Sequence, residues 1–259
     1  MSDQPLALVL LDRAVEPDLS AVVKALRVRH QGLQAEVVAD PRDAKANARS
    51  HLLRCGDDMV AVMMMPVPIP QDPGLWTRAA TTWPEARAVA ARHQAHVIVS
   101  SLGESKHRLS DARAATAVVG ALISTTPGCC AVVWGSDVAR SAKTWLEMSK
   151  QSFAPYPDYP FTLWFDVLPF RSGAMIGAVT KGVAAFAGRE IEFETDKLGL
   201  ADVMNTVVGL AAYLVEQGPV LKDGDTFGED ERERFQVRFR NSDRFPNLRV
   251  FFCHMPSAS

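Results

Sequence analysis

The sequence predicts an α+β fold, and two observations carry that prediction. Apolar runs of strand length alternate with segments whose apolar residues fall at helical spacing. Over roughly the first hundred residues these elements follow the order strand, helix, strand, strand, helix, strand, which is that of a split βαβ, or ferredoxin-like, unit. A length of 259 residues with 47% hydrophobic content allows one large domain or two smaller ones sharing a core.

"LALVLLD" (Leu6 to Asp12) is a continuous apolar run, as expected of a strand covered on both faces. Asp18 or Ser20 caps a helix in which Leu19, Val22, Val23 and Leu26 form a buried stripe. "AEVVAD" is a second strand, and the polar stretch from Pro41 to Ser50 a loop. "HLLRCGDDMVAVMMMPVPIP" is a longer third strand or a bent pair, ended by Pro66, Pro68 and Pro70. "TTWPEARAVAARHQ" has a proline near its first turn and helix formers behind it, and "HVIVSSLG" is another buried strand.

The second half replays this order after the helix "LSDARAATAVVGALIS". "CCAVVWG" is a strand, "SAKTWLEMSKQ" a helix, "FTLWFDVLPF" and "AMIGAVTKGVAAFAGREIEFE" strand material, and "LADVMNTVVGLAAYLVEQ" a helix; "RFQVRFR" and "LRVFFCHM" close the chain as strands. The expectation is two ferredoxin-like (βαββαβ-type) halves, residues 1–107 and 108–259, packed into one globular body, each sheet covered by helices on one face. No residue-level repeat accompanies the repeated element order.

A net charge of −2 gives no global attraction to nucleic acid or anionic lipid, so neither is an expected partner. Cys55, Cys129, Cys130 and Cys253 lack the spacing of a disulfide framework and are expected as reduced thiols. The N-terminal apolar run ends at Asp12, too short for a signal-peptide core, and no run approaches the ~20 residues of a membrane span. A cytoplasmic location is the expectation.

"GPVLKDGDTFG" (Gly218 to Gly228) concentrates acidic residues and glycines after a helix striped by Val203, Val207, Leu210, Ala211 and Leu214. Gly218-Pro219 is a helix stop, Asp223-Gly224 a turn pair, and the favoured expectation is a connector between helix and strand. The competing one is a ligand site in which Asp223, Asp225 and Thr226 present oxygens and Lys222 meets an anion. A calcium loop is excluded, since Phe227 and Arg234 stand at two ligand positions.

This segment, with "YLVEQ" before it, resembles the signature of an uncharacterised bacterial family, domain of unknown function 4261. "LALVLLD", "MPVPIP", "TTWPEA", "HVIVSSLG", "AVVWG" and "FTLWFDV" share that family's style, so the resemblance spans nearly the whole chain. It implies no established activity, cofactor or catalytic residue, and an association with bacterial toxin, immunity or secretion systems.

Other patterns fail on particular residues. "GAVTKGVA" is not a phosphate loop, because Val183 and Ala184 stand where Lys and Ser/Thr are needed. No G-x-G-x-x-G follows a strand and no G-x-S-x-G elbow exists. His93 and His96 lack the further ligands of a zinc site, and no metal is expected. Ser100, Ser101, Glu104, Lys106 and His107 gather on a loop after a strand, where solvated side chains are the favoured expectation. Trp134 and Trp164 are expected in the core. Trp76 and Trp83 flank "TRAATT" beside the proline-rich segment and are the candidate partner-binding rings, with core packing as the favoured expectation.

The functional expectation is a non-enzymatic, cytoplasmic, protein-binding (adaptor or immunity-type) protein without a cofactor. The alternative is a small-ligand-binding protein, or a metal- or phosphate-dependent enzyme, built around Asp223, Asp225 and Thr226.

Overall fold

The computed structural model describes residues 6–38, 50–103, 108–228 and 234–255. The chain divides into two compact units, Met1–Leu163 and Trp164–Ser259. The expected polar loop at 41–49 and the side chains of Glu104, Lys106 and His107 lie outside the described residues.

The first unit holds strands β1 (Leu6–Leu11), β2 (Ala35–Val38), β3 (Ser50–Cys55), β4 (Asp58–Met65), β5 (Ala95–Ser101), β6 (Cys129–Trp134) and β7 (Val138–Ser141). Its helices are α1 (Leu19–Arg29), α2 (Pro73–Ala79), α3 (Ala86–Arg92), α4 (Arg108–Thr125) and α5 (Ala142–Met148). The strands form one sheet in the order β2-β3-β4-β5-β1-β6-β7, with every neighbouring pair antiparallel. α1 starts where the sequence places it, with the Asp18 carboxylate accepting from the N–H groups of Ser20 and Ala21 at 2.9 and 3.1 Å.

This arrangement differs from the expected split unit in three respects. The third apolar run is a hairpin of β3 and β4, so the unit carries one more strand before its next helix. The sheet is covered on both faces. Leu10 packs with Leu75, Trp76 and Val89 of α2 and α3, while Trp134, on the opposite face from Val133 by strand alternation, meets Trp145 of α5 at 5.8 Å between ring centroids. The physical reason lies in β1: Val9, Leu10 and Leu11 are all fully buried, and a strand apolar on both sides requires cover on both. Finally, β6 adds beside β1 and β7 beside β6, so α4, β6, β7 and α5 complete the first unit and the division falls at Leu163, beyond the expected 107/108 boundary.

The second unit holds β8 (Asp166–Ser172), β9 (Met175–Lys181), β10 (Glu190–Thr195), β11 (Thr226–Phe227), β12 (Phe235–Asn241) and β13 (Arg249–His254), with α6 (Ala184–Ala187) and α7 (Leu200–Gln217). The sheet order is β11-β12-β13-β10-β9-β8. β10 and β13 run parallel, the other neighbours antiparallel. α7 lays the expected stripe of Val203, Val207, Leu210, Ala211 and Leu214 against β8, β9 and β10. The chain before β8 is not strand: Phe161–Leu163 forms a 3-10 turn, and Trp164 is fully buried against Phe186. Among the described residues no helix is long and apolar enough to cross a membrane.

Candidate functional site

The segment after α7 is the place to begin, because it carries the sequence's densest set of acidic and glycine residues. α7 ends at Gly218 with φ 75° and ψ −155°, a conformation essentially reserved for glycine. The chain then runs along the outer edge of β12. Gly224 N–H donates to Val237 O at 2.9 Å, Val237 N–H donates to Asp225 O at 2.8 Å, and Thr226–Phe227 pairs with Gln236 and Phe235 as β11. One position further, Asp223 Oδ1 accepts from Phe239 N–H at 2.7 Å, so a side-chain carboxylate stands where a strand carbonyl would. Asp225 Oδ2 accepts from Lys222 N–H at 2.8 Å. Lys222 and Thr226 are exposed.

Both carboxylates therefore serve backbone groups. Asn at either position can still accept those bonds, so Asp223→Asn and Asp225→Asn are expected to change stability little, whereas Gly218→Ala should cost about 1–3 kcal/mol by forcing a Cβ into a disfavoured conformation. Thermal melting with and without magnesium or calcium checks this; an ion-dependent rise in melting temperature that both Asn variants abolish would reverse the assignment.

Beside this segment lies a groove of about 330 Å³ lined by Asn205, Thr206, Gly209 and Leu210 of α7 and by Phe227, Gly228 and Phe235. Its aromatic wall is braced from behind: Phe227 meets Phe235 at 5.5 Å and Phe235 meets Phe193 at 4.6 Å. The opposite wall is low, because a Cβ built on Gly209 has no heavy atom within 4 Å. One helical turn on, Tyr213 is 45% exposed.

At the other end of the unit, the stretch that superficially resembles a phosphate loop does form an anion cradle, and the protein fills it itself. The Glu190 carboxylate accepts from the N–H groups of Gly182, Val183 and Ala184 at 2.8, 3.1 and 3.1 Å and from Thr180 Oγ1 at 2.6 Å. Glu190 is 3% exposed. Gly182 is required here, since its φ is +113° and a Cβ would lie 2.3 Å from Trp164 O.

Along β10 the carboxylates of "EIEFE" recur at the period of two that places them on one face. Glu192, whose side chain is fully buried, has Oε1 3.5 Å from an Arg240 guanidinium nitrogen and 3.7 Å from Arg244 Nε. Arg244 also binds Glu194 at 2.5 Å. Each guanidinium lies over a ring, Arg240 at 3.5 Å from the centroid of Phe252 and Arg244 at 4.2 Å from that of Phe170. Neither Glu192 oxygen accepts a hydrogen bond. The cluster ties the β12–β13 connection down onto the sheet through Arg244. The sequence signal for it was visible in the complementary alternation of "EIEFE" and "RFQVRFR".

All of these groups except Trp164, Phe170 and Phe252 fall in one continuous stretch of chain. Residues 179–249 match the family model of the domain of unknown function (DUF4261). The match covers the end of β9, the Glu190 cradle, α7, the Gly218–Gly228 segment and β12, so the resemblance noted in the sequence is shown for this part of the chain. No curated protein and no solved structure matches the chain. The DUF4261 segment thus holds the groove, the filled cradle and the ionic cluster.

The remaining candidates lie outside the DUF4261 segment and have structural partners. Trp76 is 3% exposed inside the α2/α3 core, so its ring offers no surface to a partner, and Trp83 packs half-buried against the same cluster. Trp76 sits on α2, a short helix without a periodic sequence signal, which Asp72 caps by accepting from Gly74 and Leu75 N–H at 2.9 and 3.1 Å. His93 Nε2 accepts from Ile69 N–H at 2.9 Å, which leaves Nδ1 to donate to Ala90 O at 2.6 Å. His96 Nδ1 donates to Val67 O at 2.8 Å. The two imidazoles thus clamp the proline-rich segment, and burial holds His93 below the usual imidazole range. Ser101 Oγ donates to Asp111, both buried, at the start of α4. The four cysteines are free, and burial raises the thiols of Cys55 and Cys129 to about 12 and of Cys130 to about 11, which suppresses the nucleophilic thiolate. Among the described residues, no group of three His, Cys, Asp or Glu side chains is arranged to hold a metal ion.

Proposed function

We propose that this protein is a non-enzymatic cytoplasmic binding protein of the adaptor or immunity type, and that the groove beside α7 receives an apolar side chain of its protein partner. The observation that carries the reading is the groove itself, with an aromatic wall of Phe227 and Phe235 facing an α7 surface opened by Gly209. Its 330 Å³ lies at the low end of small-molecule pockets. That size suits one anchoring side chain of the kind that dominates protein interfaces. Asn205 and Thr206 supply polar groups at the rim, and Tyr213 extends the contact surface along the helix. Strand addition to β12 is the less suitable mode, because the Asp223–Phe227 stretch already occupies that edge. Four unbridged cysteines accord with a reducing compartment. A catalytic or ligand site around Asp223, Asp225 and Thr226 draws no support from the two carboxylates, which are bonded to Phe239 and Lys222 N–H.

The test fills the groove without disturbing the core. Gly209→Phe places a ring where a Cβ meets nothing and replaces a poor helix former, so the fold should be retained. A partner that co-purifies with the wild type from native lysate in near-stoichiometric amount, and is lost with Gly209→Phe at unchanged melting temperature, is the expected result. Absence of any such protein at low and high salt, or its retention by the variant, would remove the proposal.

A further inference from the structure

The first unit carries a second, larger concavity with a different chemistry. It measures about 450 Å³ and lies where the end of α1 meets the chain that follows α5; Arg29, His30, Gln31, Lys150, Gln151 and Phe153 line it. No carboxylate is among its lining residues.

Arg29 is held in place rather than left to wander. One of its terminal nitrogens donates to Leu146 O at 2.7 Å and to Ser149 Oγ at 2.8 Å. Room for this anchor comes from α4, where a Cβ on Gly120 would stand 2.1 Å from Ser149 Oγ and 3.1 Å from Arg29 Nη2. The guanidinium keeps further capacity, since its Nε is buried and makes no hydrogen bond. His30 is 8% exposed, and its Nε2 is likewise buried without a hydrogen-bond partner. Burial first and the charge of Arg29 second hold His30 down at about 4, so it is a neutral ring at neutral pH. Two polar side chains with unused hydrogen-bonding capacity thus stand at one cavity, although these two particular atoms are themselves shut off from solvent.

The rim supplies the rest. Lys150 pairs with Glu147 at 2.5 Å, but both side chains are more than half exposed, so the pair is weak and the ammonium can be recruited. Phe153 is 40% exposed and its ring stands perpendicular to that of His30 at 5.2 Å between centroids, so part of its apolar surface is accessible to a flat group.

We propose that this pocket binds a small organic oxyanion, a phosphate carried on an aromatic ring, with Arg29 and Lys150 holding the oxygens, His30 hydrogen-bonding beside them and Phe153 stacking on the ring. A fixed guanidinium suits an oxyanion better than a neutral or cationic group, and a second cation at the rim adds charge without directional demand. This inference is independent of the partner-binding reading, which concerns the second unit.

Phenyl phosphate, inorganic phosphate and phenol titrated calorimetrically into the full chain at constant ionic strength provide the test. Phenyl phosphate should bind one to one, with inorganic phosphate at least about tenfold weaker and phenol giving no saturable heat. Lys150→Glu and Phe153→Ala alter exposed side chains and should keep the wild-type melting temperature while each weakens phenyl phosphate by about tenfold or more. Binding of phenyl phosphate that both variants leave unchanged would place the anion elsewhere, and no saturable heat at millimolar concentration would show that the pocket holds none; either result overturns the inference.

Discussion

Glu190→Ala should lower the stability of the second unit by about 4 kcal/mol, read from the urea midpoint at constant m-value, because three backbone N–H groups and a threonine hydroxyl lose a buried charged acceptor at once. Hydrogen bonds to charged groups contribute about 1.5–3 kcal/mol each, and water entering the vacated space recovers only part of the sum. Glu190→Gln keeps the shape but turns an amide donor toward donors, so it should be intermediate. The truncated variant also exposes an empty nest of N–H groups of the kind that binds anions. Sulfate should therefore stabilise Glu190→Ala more than it stabilises the wild type. A cost below about 1 kcal/mol, or equal sulfate responses, would mean that the carboxylate is not what organises the Gly182 turn.

The second large effect concerns the ionic cluster and has a definite asymmetry. Glu192 is fully buried, whereas Arg240 and Arg244 retain about a third of their side-chain exposure, at 34% and 28%. Removing both arginines strands a carboxylate in the interior and should cost about 3–5 kcal/mol, the range for an unpaired buried charge. Glu192→Gln leaves two cations that can turn toward water, so its cost should be smaller. Chemical denaturation of the two variants side by side decides the matter; Glu192→Gln as the more damaging change would mean that the arginines, not the glutamate, are the trapped charges.

Local signals were legible in the sequence and long-range pairing was not. The Asp18 cap, the α7 stripe, the Gly218 stop and the buried Trp134 all follow from periodicity and cap chemistry acting within a few residues. Element order, by contrast, does not specify which strands neighbour one another. β1 pairs with β5 and β6, separated from it by most of a unit, and nothing local in "LALVLLD" selects those partners. The same limit applied to Trp76, whose environment is set by α2, a seven-residue helix too short to show a periodic pattern. At the site, the Asp223–Gly224 turn was visible as turn chemistry, but the role of Asp223 toward Phe239 spans sixteen residues and needs the register of β12. The groove was missed because its decisive feature, an open space at Gly209, is the absence of a side chain inside an otherwise regular helix.

The way the Gly218–Gly228 segment closes the sheet bears on how this chain behaves when crowded. An open strand of the composition "RFQVRFR" would expose a row of backbone donors and acceptors to any neighbouring molecule, the template from which intermolecular cross-β growth starts. Here the last protecting group on β12 is a carboxylate that ends the ladder instead of continuing it, and the covering strand β11 is two residues long. A terminator that is short, charged and turned by glycine offers a second chain almost nothing to copy. The acidic turn thereby limits the edge that this margin of the sheet presents, through its position and not through any ligand.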